Sequence, residues 1–178
     1  MKKLLTIVAF YFLILGISSA EAEWLYNKKP ITDSPYAKTD GEFGALLAFT
    51  DKPDELFEAW NKEGLEVKAD FVDKIKLNQR LVAVIVFSNS AADKRGNSNL
   101  TALLTVFDPQ GNAIVGKELK VWVNRPSPPY RDLELSVDHL AITVEDGMPT
   151  GLYMVKAMVY DKIAGKILDL ERQFEVTE

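Results

Sequence analysis

The chain has 178 residues, a formal charge of −5, no cysteine and one histidine. Zero thiols exclude disulfide staples, cysteine-ligated zinc, iron–sulfur clusters and thiol nucleophiles, and one imidazole is too few for a histidine-rich zinc centre. The acidic balance argues against nonspecific attraction to nucleic acid or anionic lipid.

The N-terminus has the order of a secretory signal. Met1-Lys2-Lys3 is followed by the uncharged run Leu4–Ile17, then by Ser18-Ser19-Ala20 and the acidic Glu21. A positive start, an apolar middle and small residues before a cut form that grammar. Cleavage is expected after Ala20, with Ala22 as the alternative. The apolar run is shorter than the roughly 20 residues needed to cross a bilayer. No cysteine follows it to carry a lipid, and no later segment reads as a span. Removing residues 1–20 from 178 leaves 158, the size of one domain. Losing Lys2 and Lys3 takes the charge from −5 to −7. The style of the signal implies a bacterial protein that is periplasmic or secreted.

Residues 21–42 are polar and broken by Pro30, Pro35 and Gly41, so an irregular arm is expected there, with Trp24, Leu25 and Tyr26 its apolar cluster. The domain proper is expected at 43–178, opening with a strand over Phe43–Thr50. Residues 51–63 predict the one helix. Asp51 is placed to cap it, Pro53 sits in the first turn, and Asp54 and Glu55 favour the positive end of the dipole. Leu56, Phe57, Ala59 and Trp60 share one side, and Gly64 follows as a stop. Phe57 and Trp60 are expected to pack on a sheet; ligand stacking is the sharper alternative.

Beyond the helix the period changes to two. Leu65, Val67, Ala69 and Phe71 alternate with polar residues. Arg80–Ser88 is a continuous apolar run, as in a central strand covered on both faces. Strands are predicted at Asn99–Phe107 and Gly116–Asn124, with Asp108-Pro109-Gln110-Gly111 as the turn between them. In the second of these, Leu119, Val121 and Val123 are expected on one face and Trp122 on the other. Leu133-Leu135-Val137 and Leu140-Ile142-Val144 are short alternating runs. Leu152–Tyr160 and Lys166–Val176 form a closing hairpin around Asp161–Gly165. Eight or nine strands at such spacing indicate an all-β sandwich or barrel.

Gly151-Leu152-Tyr153-Met154-Val155, after the turn Asp146-Gly147-Met148-Pro149, resembles a closing strand of immunoglobulin-like domains. Tyr153 takes the tyrosine-corner place and Val155 the place of the second cysteine. The hairpin ending in Phe174-Glu175-Val176 is similar to the last two strands of that fold. The resemblance covers residues 80–178 in outline. It implies an immunoglobulin-like β-sandwich of about eight strands with one short helix near the N-terminus, and it does not fix a function.

Side chains able to carry chemistry are few. His139 would have to be the base of any serine triad, but Asp138 beside it points to the opposite face of a strand, and no Gly-x-Ser-x-Gly or Ser-x-x-Lys motif is present. Met148, Met154 and Met158 near His139 suit copper by ligand type, yet Met154 and Met158 are rooted about 13 Å apart at strand rise. The loop Ser88–Asn99 offers Asp93, Asn97, Ser98 and Asn99 as oxygens for calcium, with Lys94 and Arg95 opposing. Asn99-Leu100-Thr101 matches a glycosylation acceptor in form. No pair among the 26 acidic residues stands out for hydrolysis.

Residues 124–131 are the exception. Pro126, Pro128 and Pro129 stiffen the loop, and Tyr130 between Arg125 and Arg131 matches the composition of binding hot spots. A rigid crossover between sheets would use the same prolines. Arg125, Pro126, Pro128, Pro129, Tyr130 and Arg131 are therefore the candidate partner contact. The function expected is that of a non-enzymatic exported binding or accessory protein acting on another envelope or secreted protein, without cofactor, nucleic acid or stable membrane insertion. The alternatives are an inhibitor or immunity protein against a toxin or enzyme, a carboxylate hydrolase, and a copper or calcium carrier.

Overall fold

The computed structural model of the chain describes residues 33–62, 71–130 and 132–178, together with the backbone of 25–26 and 29–30. The expected signal at 1–20, Trp24, the helix stop at Gly64, the alternation Leu65-Val67-Ala69 and Arg131 lie outside the described residues. No helix among the described residues is long and apolar enough to cross a membrane.

A small ribbon pairs β1 (Leu25–Tyr26) with β2 (Lys29–Pro30). The rest is mainly β, arranged as two sheets. In the first, β3 (Ala37–Asp40) pairs with β4 (Phe43–Thr50), and β4 pairs with β6 (Arg80–Ser88). The short strands β9 (Glu134–Leu135) and β10 (Leu140–Thr143) both pair with β6. The second sheet has the order β5 (Lys74–Lys76), β12 (Lys166–Thr177), β11 (Gly151–Asp161), β7 (Asn97–Phe107), β8 (Ala113–Pro126). Its pairs are antiparallel except β5 with β12, which is parallel.

The sheets face each other across a common apolar core. Phe49 of the first sheet meets Phe174 of the second edge-on at 5.6 Å, and Tyr153 stacks on Phe174 at 5.3 Å. Burial of each such ring contributes on the order of 2–3 kcal/mol before the entropy of ordering is counted. A second apolar layer lies on the other face of the first sheet. There α1 (Pro53–Trp60) sets Leu56, Phe57 and Trp60 against Leu46, Ala48, Val82, Val84, Val86 and Leu135. β4 and β6 are thus covered on both sides, which is why their sequences are apolar without alternation. Both strands have the predicted bounds, and Phe57 and Trp60 pack on the sheet as expected.

Four features differ from the sequence reading. Residues 25–26, 29–30 and 37–40, all within the arm expected to be irregular, form β1, β2 and β3. Asp51 does not cap the helix. Lys52 holds the N-cap position without a side-chain cap, its amide donating to Thr50 Oγ1 at 3.0 Å, while Asp51 accepts from Gln79 Nε2 at 3.1 Å. Trp122 does not lie opposite Leu119 and Val121. Thr101 pairs with Lys120 and Leu100 with Trp122, so Val121 is an extra residue in β8. That bulge turns the indole inward, 5.7 Å from the Phe87 ring. The run Leu133-Leu135-Val137 does not share one buried face: Leu135 is buried, whereas Leu133 and Val137 are exposed. Ser136 completes the ladder beside Ile85, its hydroxyl accepting from the Ile85 amide at 3.1 Å. Val137 then leaves the first sheet and donates to the Val121 carbonyl of β8 at 3.0 Å.

Tyr153 is fully buried, and its hydroxyl donates to the Pro149 carbonyl at 2.7 Å, four residues upstream.

Candidate functional site

Four connections meet at one end of the two sheets: residues 41–42, 89–96, 127–130 with 132–133, and 162–165. The first of them precedes β4, and the others follow β6, β8 and β11. They are tied together by short polar side chains. Asp161, 1% exposed, accepts from the Ala91 amide through Oδ2 at 2.8 Å, and from the Ile163 and Ala164 amides through Oδ1 at 3.0 Å each. Ser90 and Ser98 share a buried hydroxyl hydrogen bond of 2.9 Å. Ser127 donates its amide to Gly96 O at 2.9 Å and its hydroxyl to Ser90 O at 3.1 Å. Buried carboxylates and hydroxyls that are fully used in this way hold loops in one shape.

The loops enclose a shallow cleft of about 430 Å³, lined among others by Glu42, Asn89, Ser90, Ser127, Pro128 and Tyr130. Tyr130 is 55% exposed, and its hydroxyl donates to Glu42 Oε1 at 2.9 Å. Asn89 donates to the Glu42 carbonyl at 2.9 Å. Pro128 and Tyr130 of the sequence-derived set therefore line the cleft. Arg125 and Pro126 end β8 beside it, and Pro129 is exposed, its carbonyl closing a turn to Asp132. Arg125 is presented by a second bulge. Ser98 pairs with Arg125 and Asn99 with Val123, leaving Asn124 unpaired at φ 53°. Asparagine tolerates that left-handed geometry better than most side chains. The Arg125 guanidinium lies 4.5 Å from the Trp122 ring centre, and Trp122 is fixed by Nε1 donating to Pro126 O at 2.8 Å.

The sequence reading missed Glu42, Ser90 and Asp161. The turn Asp161-Lys162-Ile163-Ala164-Gly165 does carry a signal for its own Asx hydrogen bonds. The bond from Asp161 to Ala91 joins residues 70 positions apart, so no local pattern announces it.

The other constellations come apart. Asp138 accepts from the Lys120 amide at 3.0 Å, so it is engaged away from the His139 ring. The His139 ring packs against Phe57 of α1 at 5.3 Å, with Nδ1 buried and without a hydrogen-bond partner. Burial pushes this imidazole below its ordinary pKa, and Arg80 and Lys117 push the same way, against Asp138. Met148 packs against the inter-sheet core, whereas Met154 and Met158 border clefts on the outside of the second sheet. Asp93 Oδ1 is already taken by the Arg95 and Asn97 amides at 2.8 and 2.9 Å. Among the described residues no three acidic or histidine side chains gather as for a metal. Glu134 is pushed above its ordinary pKa by burial and by Asp132, against Arg125 and a hydrogen bond from Trp60. It stands outside the lining of the loop-end cleft.

A larger furrow of about 630 Å³ crosses the outer face of the second sheet over Leu103, Phe107 and Met158. Its charged rim is partly self-satisfied, Lys156 pairing with Glu171 at 3.8 Å. The loop-end cleft is the site where the sequence-derived residues and an opening coincide.

No family model matches the chain, and no curated protein matches it. Solved structures similar to parts of it include the C-terminal domain of Wzt, at 11% identity and TM-score 0.44, covering 80% of this chain and 78% of that one. A family 123 glycoside hydrolase from Clostridium perfringens is similar at 12% identity and TM-score 0.41, covering 77% of this chain and 27% of the hydrolase. A CARDB domain from Pyrococcus furiosus, in complex with di-metal ions, is similar at 11% identity and TM-score 0.35, covering 60% and 81%. This chain thus spans about a quarter of the hydrolase's length. Overlaps of this extent assign no family.

Proposed function

We propose that the chain is an exported immunoglobulin-like sandwich that works as a non-enzymatic binding or accessory protein, using its loop end to hold another protein. The strand order supports the immunoglobulin-like reading. β4, β6 and the β9–β10 pair correspond to strands A, B and E of one sheet, and β7, β11 and β12 to C, F and G of the other. The Tyr153 bond to Pro149 falls at the E–F corner where that fold places it. The helix between β4 and β5 is an insertion into the pattern. Export rests on the residue order at 1–20, and the chain handles an oxidising compartment without any thiol.

One observation carries the binding reading: hydrogen-bonded loops meet around an open cleft lined by Tyr130, which is exposed and bonded to Glu42, while Arg125 at the end of β8 is held over Trp122. Preorganised contacts lose little entropy on binding, and tyrosine and arginine are the side chains that most often dominate an interface. The test places a photoreactive amino acid at Tyr130 in the full chain, expressed in its own cell. A discrete cross-linked species is expected from Tyr130 and not from Leu152, which is 51% exposed at the other end of β11. The same weak smear from both positions counts against the reading. Export is tested separately: the envelope fraction should contain a chain that starts at Glu21.

A further inference from the structure

The cations of the loop end are deployed differently from its acids. Asp161 is buried and spent on three amides, Asp93 Oδ1 holds its own turn, and Glu42 accepts from Tyr130. Lys94 and Arg95 occupy the two corner positions of a turn closed by the Gly96 amide on Asp93 O at 2.9 Å, so both project outward. Arg125 stands next to that turn, because Ser98 pairs with Arg125 and Ser127 donates to Gly96 O. Among the described residues no carboxylate forms a salt bridge with Lys94, Arg95 or Arg125, although Glu134 lies close enough to feel Arg125. Lys162, on the neighbouring loop, is shared with Glu118 at 4.0 Å. Asp132 is an exposed acid that acts electrostatically on Glu134.

We infer that Lys94, Arg95 and Arg125 form a cationic rim that receives an acidic, carboxylate-rich segment of the partner protein, with Tyr130 supplying the apolar contact beside it. This rests on the loop end being the contact surface proposed above. Lys94, Arg95 and Arg125 are exposed cations without a salt bridge among the described residues, and each is available to pair with a carboxylate brought by a partner of opposite sign. Arg125 is the anchor. Held over Trp122, its planar fork is already ordered before a carboxylate arrives. A protein segment is the favoured occupant because the tyrosine and prolines around the rim match the composition of protein–protein interfaces.

The test is an NMR titration of the full mature chain with an oligoglutamate peptide, with oligoglutamine, a heparin oligosaccharide and phosphatidylglycerol vesicles as parallel probes. Shifts are expected at the amides of 94–96, 125 and 130 with oligoglutamate and not with oligoglutamine. Raising the salt from about 0.05 M to about 0.5 M should erase most of them. The double substitution Arg95→Glu with Arg125→Glu should weaken the peptide by about tenfold or more. Lys52→Glu with Lys76→Glu, at the opposite end, should leave it unchanged. No shifts, shifts that survive the Arg95/Arg125 reversal, or stronger binding of heparin or vesicles would each overturn the inference. If Tyr130 cross-links a partner while oligoglutamate does not bind, only the acidic chemistry is lost. If neither occurs, the loop-end reading falls with it.

Discussion

Asp161 is the side chain on which the loop end depends most. It is buried, and three backbone amides from two loops converge on its carboxylate. Asp161→Ala leaves those donors without a partner and should cost about 3 kcal/mol, read as a lower denaturant midpoint. Asp161→Asn keeps one acceptor oxygen and should lose less. Tyr153→Phe removes one hydroxyl bond and keeps the stacked ring, so about 1 kcal/mol is expected. Two groups titrate in opposite senses. The His139 pKa is depressed in the fold, so the neutral ring's contribution is whole above about 6.5 and drains as pH falls through the folded value. His139→Gln should therefore flatten the acid-side fall in melting temperature between about pH 7 and pH 5. The Glu134 pKa is raised in the fold, so its contribution is present below the unfolded value near 4.5 and is lost as pH rises through the folded one. Glu134→Gln should gain on the wild type with rising pH; equal melting curves above and below that window would contradict this.

At the scale of elements, the apolar runs were legible because burial dictates composition. β4 and β6 need apolar residues on both faces, and a run such as Arg80–Ser88 has few other uses in a chain of this kind. α1 was legible for the same reason, its Leu56, Phe57 and Trp60 stripe meeting the sheet. Leu56→Ala should cost about 2–4 kcal/mol by opening a cavity between helix and sheet, and the fold of the second sheet should survive it. What the pattern misjudged is local geometry. The bulge at Val121 costs one residue of register and reverses Trp122, and no periodicity reading can see an insertion that its partner strand defines. Likewise β3 is polar and short, and only its place beside β4 makes it a strand.

Across the whole molecule, the two-sheet build explains why the cleft is where it is. Strands that switch between sheets return their connections to the ends, so residues distant in sequence meet there while the faces stay committed to packing.

Composition and periodicity were enough by themselves to say that this chain would be β-rich, where its central strands and helix would run, and that Pro128 and Tyr130 belonged to a proline-stiffened loop. Those properties are written residue by residue, because each depends on solvent exposure and backbone preference at short range. The cleft, the joining role of Asp161, the inward turn of Trp122 and the outward set of Lys94, Arg95 and Arg125 depend on which strand lies beside which. They were decided only when long-range pairing brought residues 42, 90, 127 and 161 to one end, since no short-range preference encodes a contact across that much intervening chain.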